Sequence, residues 1–325
     1  MKCRKCSSPA VLNMRRHKLA LCEVHYPEWF VAQTQRAIEK YRMFRPDDRI
    51  LVAVSGGKDS LALWDVLLQL GYRADGLYID LGIDQGTDDG TGYSAASREK
   101  VEQFAAQRSD ARFTVVDLKA EYGETLPEVA RRVRRGRGKP CSVCGLIKRH
   151  VMNRVTRDGA RGLRGGYDVL ATGHNLDDEV AVLFGNVLHW QTGYIARQAP
   201  VLPASPGDGD GGLARKVKPF CRFYERETAA YALITSIDYI YDECPYAVGA
   251  TSLRYKGILN QMEEQSPGTK SQFYLGLLRA RKEGFFCKQA EEVELHPCSN
   301  CGQPTSAPGL CTFCRLWRGT TEAGG

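Results

Sequence analysis

Ile50-Leu51-Val52-Ala53-Val54-Ser55-Gly56-Gly57-Lys58-Asp59-Ser60 is the stretch that decides how the rest of the chain is read. Its unbroken apolar run predicts a parallel strand buried on both faces. Ser-Gly-Gly turns the chain, and Leu61-Ala62-Leu63-Trp64-Asp65-Val66-Leu67-Leu68 predicts the helix that follows. Strand, glycine turn and helix N-terminus together form an anion cradle. Glycine lets the backbone come close, and the first N–H groups of a helix lack intrahelical acceptors. Lys58 adds a point charge, and Ser55 and Ser60 add hydroxyl donors. The spacing differs from the GxxxxGK(S/T) loop of kinases and GTPases. An ordinary Gly-rich turn would not explain Lys, Asp and two Ser within six residues.

Composition sets the frame. A chain of 325 residues, 43% hydrophobic, has room for one full α/β domain with a real core plus small modules. It holds no run of eighteen apolar residues, so no membrane span is expected. Met1-Lys2-Cys3-Arg4-Lys5-Cys6 has no apolar signal region, and a cytoplasmic location is expected. The net charge of +7 suits an anionic partner such as RNA, but solubility alone would also explain it. Twelve cysteines are many for a reducing compartment. Nine of them fall in C-x2-C or C-x2-H half-sites, which favours metal over disulfides.

Two such sites frame the chain. Cys3 and Cys6, then Cys22 and His25 after fifteen residues, supply four ligands for a tetrahedral, structural Zn2+. Cys298 and Cys301, then Cys311 and Cys314 after nine residues, make a compact four-cysteine ribbon. Pro27 to Arg45 is expected as a helix joining the first module to the core. Trp29, Phe30, Ala37, Ile38 and Tyr41 form its apolar stripe. The domain reading is a zinc module at 1–26, a linker helix at 27–48, a catalytic α/β domain at 49–290 and a ribbon at 291–325.

Further strands are predicted at 74–83, 112–116, 167–172 and 239–241, alternating with helices. That pattern implies a parallel sheet covered by helices on both faces. Ligands bind at the C-terminal ends of such strands. The nucleotide-binding set is therefore Ala53, Val54, Ser55, Gly56, Gly57, Lys58, Asp59 and Ser60, with Asp80 after the second strand and Gly173, His174 and Asp178 after the fourth. A structural histidine fits His174 as well as a nucleotide contact does. His189 and Trp190 are expected to pack. Residues 84–92 and the Gly/Asp-rich 204–212 read as loops.

Arg131, Arg132, Arg134, Arg135, Arg137 and Lys139 place six cations in nine residues, a run suited to nucleic-acid phosphate. It leads into Cys141-x2-Cys144, which both zinc sites leave over. With one of the isolated thiols Cys221, Cys244 or Cys287, the pair fits a 4Fe–4S cluster with one iron open. The same pair fits a sulfur-carrying or transiently disulfide-bonded dithiol, or a buried structural pair.

The motif SGGKDS resembles the pyrophosphate loop of the ATP pyrophosphatase superfamily. SGGKDS, LYIDLGI, CSVCGLIKR, ATGHNLDDE and DECPYA, in that order between two zinc sites, resemble the tRNA 2-thiolation enzymes over essentially the whole chain. Among these the TtuA-like branch, which thiolates the T-loop uridine, is more similar than the wobble-uridine branch. The resemblance implies ATP with Mg2+, adenylation of the uridine C2 oxygen and its replacement by sulfur. It implies cluster ligation by Cys141, Cys144 and Cys244, with Cys221 a departure from the usual pattern. Lys148 matches a catalytic lysine. Asp177 matches the second catalytic residue, with Asp178 its rival, and Asp59 or Asp177 is a candidate Mg2+ ligand. tRNA, a ubiquitin-like carrier with a C-terminal thiocarboxylate, and a homodimer are the implied partners. Two other readings remain at this level. One is adenylation with an amine nucleophile, for which the three thiols would be superfluous. The other is a non-catalytic zinc-ribbon RNA-binding protein whose loop senses nucleotide.

Overall fold

The computed structural model describes residues 1–87, 90–133, 140–159, 166–205, 212–286 and 295–317. Arg134, Arg135, Arg137 and Lys139 of the basic run, Cys287, and most of the 204–212 loop lie outside the described residues. A short antiparallel hairpin, β1 (Leu12–Met14) with β2 (Leu19–Leu21), opens the chain. Helix α1 (His25–Tyr41) follows and stops a turn before the Arg45-Pro46 boundary expected from sequence. Arg42 takes a left-handed conformation there, and Met43 N–H closes onto the Ile38 carbonyl at 3.0 Å.

The central sheet comprises β3 (Arg49–Val54), β4 (Arg73–Asp80), β5 (Phe113–Asp117), β6 (Val169–Thr172), β7 (Val201–Leu202) and β8 (Lys216–Val217). Their spatial order is β5-β4-β3-β6-β8-β7, parallel throughout except for β7 against β8. The expected strand at 239–241 does not form. That segment crosses the loop instead, with Ile240 N–H on the Gly56 carbonyl at 2.9 Å, while β8 and β7 complete the sheet.

The helices between the strands are α2 (Lys58–Gln69), α3 (Tyr93–Ala106), α4 (Leu118–Tyr122), α5 (Leu126–Arg132), α6 (Pro140–Asp158), α7 (Leu176–Leu188) and α8 (Thr192–Arg197). After the sheet come α9 (Glu225–Ile234), α10 (Thr251–Gln265) and α11 (Thr269–Lys282). The last described elements are β9 (His296–Pro297), β10 (Pro304–Thr305) and α12 (Thr312–Trp317). Among the described residues no helix is long and apolar enough to cross a membrane.

Alternation along β3 sets the layers. Ile50, Val52 and Val54 enter one hydrophobic cluster, and Leu51 enters the other. The first cluster also takes Met14, Leu21, Cys22, Tyr26 and Phe30. The second takes Val143, Ile147 and Val151 of α6 together with Cys298, Cys311, Phe313 and Cys314. The two cysteine modules therefore pack against opposite faces of one sheet. Trp64 of α2 anchors the first face, fully buried, its indole N–H on the Ala74 carbonyl at 2.8 Å. A buried side chain of this size stabilises by about 3–5 kcal/mol relative to alanine. His189 and Trp190 do not pack as expected. Trp190 is 78% exposed, because α7 ends at Leu188 and the chain turns outward through a positive φ at Trp190.

Candidate active site

The loop after β3 has the cradle geometry. Gly57 caps α2 from an extended conformation, so the N–H groups of Lys58, Asp59 and Ser60 open the helix. Gly56 has φ +75°, and any Cβ there would fall on the Ser97 carbonyl. A Cβ on Gly173 would lie 2.8 Å from the Asp59 carbonyl, so the turns after β3 and β6 touch backbone to backbone. Ser60 is engaged within the loop itself. Its hydroxyl donates to Gly57 O at 2.9 Å and accepts from Ser55 N–H at 3.1 Å, bracing the loop from within.

A chain of charges runs away from Lys58. Its ammonium lies 3.2 Å from Asp59 and 2.9 Å from Glu225. Lys256 joins Glu225, at 3.0 Å, to Asp178, at 2.7 Å. Asp59 also accepts from Asn175 at 3.2 Å and from the Thr228 hydroxyl. Burial works to raise the Glu225 pKa, yet Lys256 and Lys58 hold it down to about 2. Burial alone would lower the Lys58 pKa, but Asp59 and Glu225 raise it above the usual lysine value. Two lysines thus face three carboxylates at the mouth of the cradle, an all-oxygen set of the kind a hard cation such as Mg2+ accepts.

Asp177 stands apart from this chain. It is buried, paired with Lys270, and it accepts the Glu225 N–H at 2.9 Å at the start of α9. Asp59 and Asp178 are therefore the aspartates on the Lys58 network, and Asp177 supports it from behind. Asp80 braces its own turn by accepting Gly82 N–H at 2.9 Å. His174 shares a 2.9 Å hydrogen bond with Thr172 through Nδ1, and burial lowers its pKa to about 4.

Helix α6 brings the second half of the site. Val143, Ile147, Val151 and Val155 recur at i, i+4, i+8 and i+12 and are buried. Cys141, Cys144 and Lys148, at i, i+3 and i+7, share another face. Lys148 lines a cleft of about 80 Å3 with Ala53, Val54, Ser55, Tyr93 and Met152, at the C-terminal ends of β3 and β4. Among the described residues it is the only charged one of that lining. Cys144 and Cys244 are half-buried beside Tyr93 and Tyr246. The Cys141 thiol donates to the Tyr246 carbonyl at 3.0 Å. Burial and the neighbouring thiols raise the pKa values of Cys141 and Cys244, while Lys148 pulls both down. Cys221 lies elsewhere. It is fully buried in the cluster on the other face, where burial and Glu179 push its thiol up to about 12.

The terminal cysteine groups are tighter. The ligand atoms of Cys3, Cys6, Cys22 and His25 all lie within 4.8 Å of one another, as do those of Cys298, Cys301, Cys311 and Cys314. Backbone N–H groups point at the sulfurs, Lys5 to Cys3 at 3.4 Å and Cys311 to Cys298 at 3.1 Å, as thiolate ligands require. Both donor sets fit Zn2+. Cys141, Cys144 and Cys244 do not gather that closely. A wider spacing fits a cube whose irons each take one thiolate.

Sequence reasoning missed Glu225, Lys256, Asn175 and Thr228. Glu225 and Lys256 lie more than 160 residues beyond the loop, and no local spacing marks them. Asn175 could have been found, because Asn175 and Asp178 form a capping box at the start of α7.

Comparison with known proteins accords with this arrangement. Residues 2–27 match the family model "2-thiouridine synthetase TtuA, N-terminal LIM domain", and residues 48–186 match "tRNA methyl transferase HUP domain". The fold is that of the U34-tRNA thiolase NcsA from Methanococcus maripaludis, solved with its 4Fe–4S cluster. The TM-score is 0.74 at 20% identity, covering 98% of this chain and 96% of that one. The tRNA-5-methyluridine(54) 2-sulfurtransferase of Thermus thermophilus is 48% identical, covering 98% of this chain and 91% of that protein. Its namesake in Pyrococcus horikoshii is 42% identical, covering 98% and 94%. At such identity over almost its full length, the chain belongs to the tRNA-5-methyluridine(54) 2-sulfurtransferase family.

Proposed function

We propose that this protein is an ATP-dependent tRNA sulfurtransferase that replaces the C2 oxygen of the T-loop uridine, position 54, with sulfur. One observation carries the reading: Lys148 lines a cleft with the loop residues Ala53, Val54 and Ser55, and Cys141 and Cys244 lie near enough to feel its charge. The C2 oxygen is a poor leaving group. Its attack on the α-phosphate of ATP forms an O–P bond, breaks the bond to the β-phosphate and releases pyrophosphate. Sulfur then adds at C2, the C–O bond breaks, and AMP departs.

The loop N–H groups and Lys58 hold the phosphates and offset charge on the departing pyrophosphate. Asp59 and Asp178 are proposed to hold Mg2+, which leaves Asp177 a positioning role through Lys270 and α9. Lys148 polarises the α-phosphate or the activated base. Cys141, Cys144 and Cys244 are proposed to hold a 4Fe–4S cluster, which when bound supplies an iron without a protein ligand for the incoming sulfide. The proposed division of the chain is a zinc module at 1–26, a joining helix at 27–48, a catalytic domain at 49–290 and a ribbon at 291–325. A thiocarboxylated ubiquitin-like carrier as sulfur donor, a homodimer and a cytoplasmic setting belong to the same proposal.

The test is an unmodified tRNA transcript with ATP and a sulfur source under anaerobic conditions. AMP and pyrophosphate should form in equal amounts only with tRNA present, and digested RNA should contain 2-thiouridine. ATP binding without tRNA-dependent pyrophosphate release would leave a nucleotide-sensing RNA-binding protein instead. Metal analysis should give two zinc per chain. A folded protein with almost none would remove the structural role of both cysteine groups.

A further inference from the structure

Away from the thiols and Lys148, a second cationic site is built where the first cysteine module meets the sheet domain. Arg16 from the turn after β1, Arg36 and Lys40 from α1, and Arg222 line a concave cleft of about 350 Å3. Trp29 and Phe223 form its apolar floor, edge to face at 6.0 Å. Among the described residues the lining contains no carboxylate, and the buried Glu227 lies behind it, 3.7 Å from His17. Among the described residues Arg36, Lys40 and Arg222 make no ion pair, although surface cations elsewhere on this chain do, as Arg98 does with Glu102. Arg16 is held in place, its guanidinium on the Arg222 carbonyl at 2.9 Å and over the Tyr224 ring at 4.6 Å. His17 in the same lining is kept neutral by burial and by Arg16 and Arg222, which lower its pKa to about 4.

From this cleft we infer a second RNA-backbone site, formed by Arg16, Arg36, Lys40 and Arg222 and taking phosphodiester groups of the substrate RNA. The inference rests on the tRNA reading and extends it to residues outside the 131–139 run of the sequence. Guanidinium forks match phosphate oxygens in pairs, and four cations that outnumber the one nearby carboxylate, Glu227, create the potential that a polyanion satisfies. Position supports the same occupant. Arg222 precedes Glu225, the partner of Lys58, by three residues, so their Cα atoms lie within about 11 Å. One RNA strand can therefore reach both the cleft and the cradle. The joint between the cysteine hairpin, α1 and the 222–225 segment then acts as a clamp on the RNA beside the reaction centre.

The experiment uses the full-length protein and an unmodified tRNA transcript over a salt series. Arg36 and Lys40 are exposed on α1, so Arg36→Ala/Lys40→Ala should fold and keep its zinc. Its tRNA affinity should fall on the order of tenfold at moderate salt, and the slope of log K against log salt should shrink by about 0.7–0.9 per lost phosphate contact. Arg36→Glu/Lys40→Glu should bind still less. Pyrophosphate release should show a raised KM for tRNA with kcat and the KM for ATP unchanged. Unchanged tRNA affinity and slope in both variants would overturn the inference. So would a variant with normal tRNA binding that loses only sulfur delivery from a protein donor, which would make the cleft a site for an acidic protein. Failure of the tRNA reading itself would appear differently, as wild-type protein that releases no pyrophosphate with tRNA.

Discussion

A Cys244→Ala protein should contain no iron–sulfur cluster after anaerobic preparation and should form no 2-thiouridine, a loss of at least about a hundredfold. Cys141 and Cys144 sit one turn apart on α6, and Cys244, distant in sequence, lies near enough that Cys141 and Tyr93 sense its charge as they do that of Cys144. Two thiolates cannot hold a cube that needs three. Cys221→Ala should behave oppositely. That thiol is fully buried on the other face of the sheet, against Tyr274 and Glu179. Its removal should lower stability by about 1 kcal/mol and leave iron content and thiolation unchanged. Iron and sulfide assays with an absorption spectrum separate the two variants. Iron retained in Cys244→Ala and lost in Cys221→Ala would reassign the third ligand. Full thiolation by an iron-free Cys244→Ala protein would instead support a persulfide route through Cys141 and Cys144.

Lys58→Ala should lower tRNA-dependent pyrophosphate release by about 10²–10³, the usual cost of removing one group that stabilises developing charge. The fold should survive, because among the described residues the ammonium pairs with the polar side chains of Asp59 and Glu225 at the open end of the cradle. The loss should be greater than that of a simple phosphate contact. Without Lys58, Asp59 and Glu225 are left with Lys256 as the only other lysine of the network, and the cradle turns more negative just where a polyphosphate must enter. Arginine at this position should recover little, since a planar fork does not replace a compact point charge. The reading comes from pyrophosphate assays at saturating ATP beside a melting curve. Normal release by a folded Lys58→Ala protein would take this lysine out of the mechanism.

Local chemistry made much of this protein legible from sequence. A buried apolar run followed by SGGKDS produces a strand, a glycine turn and a helix start whatever else surrounds it, because backbone sterics and unpaired N–H groups act over a few residues. Paired C-x2-C spacing likewise marks a metal group before its partner pair is located. The apolar stripe of α1 and the capping box of α7 belong to the same class of short-range signal.

Tertiary structure decided whatever depends on which distant segments meet. Residues 239–241 have strand composition, yet they cross the loop at Gly56 rather than joining the sheet, because β8 and β7 already occupy its edge. Asp177 and Asp178 are neighbours in sequence and look equivalent there. The rotation of about 100° between successive residues of α7 sends Asp177 inward to Lys270 and Asp178 outward to Lys256. Cys221 and Cys244 could not be ranked by spacing alone, and the sheet between the two hydrophobic clusters separates them. Residue type and short spacing thus determine which chemistry a chain can carry. Which of several suitable residues performs it depends on long-range packing, because only packing assigns each side chain to a face, a partner and a degree of burial.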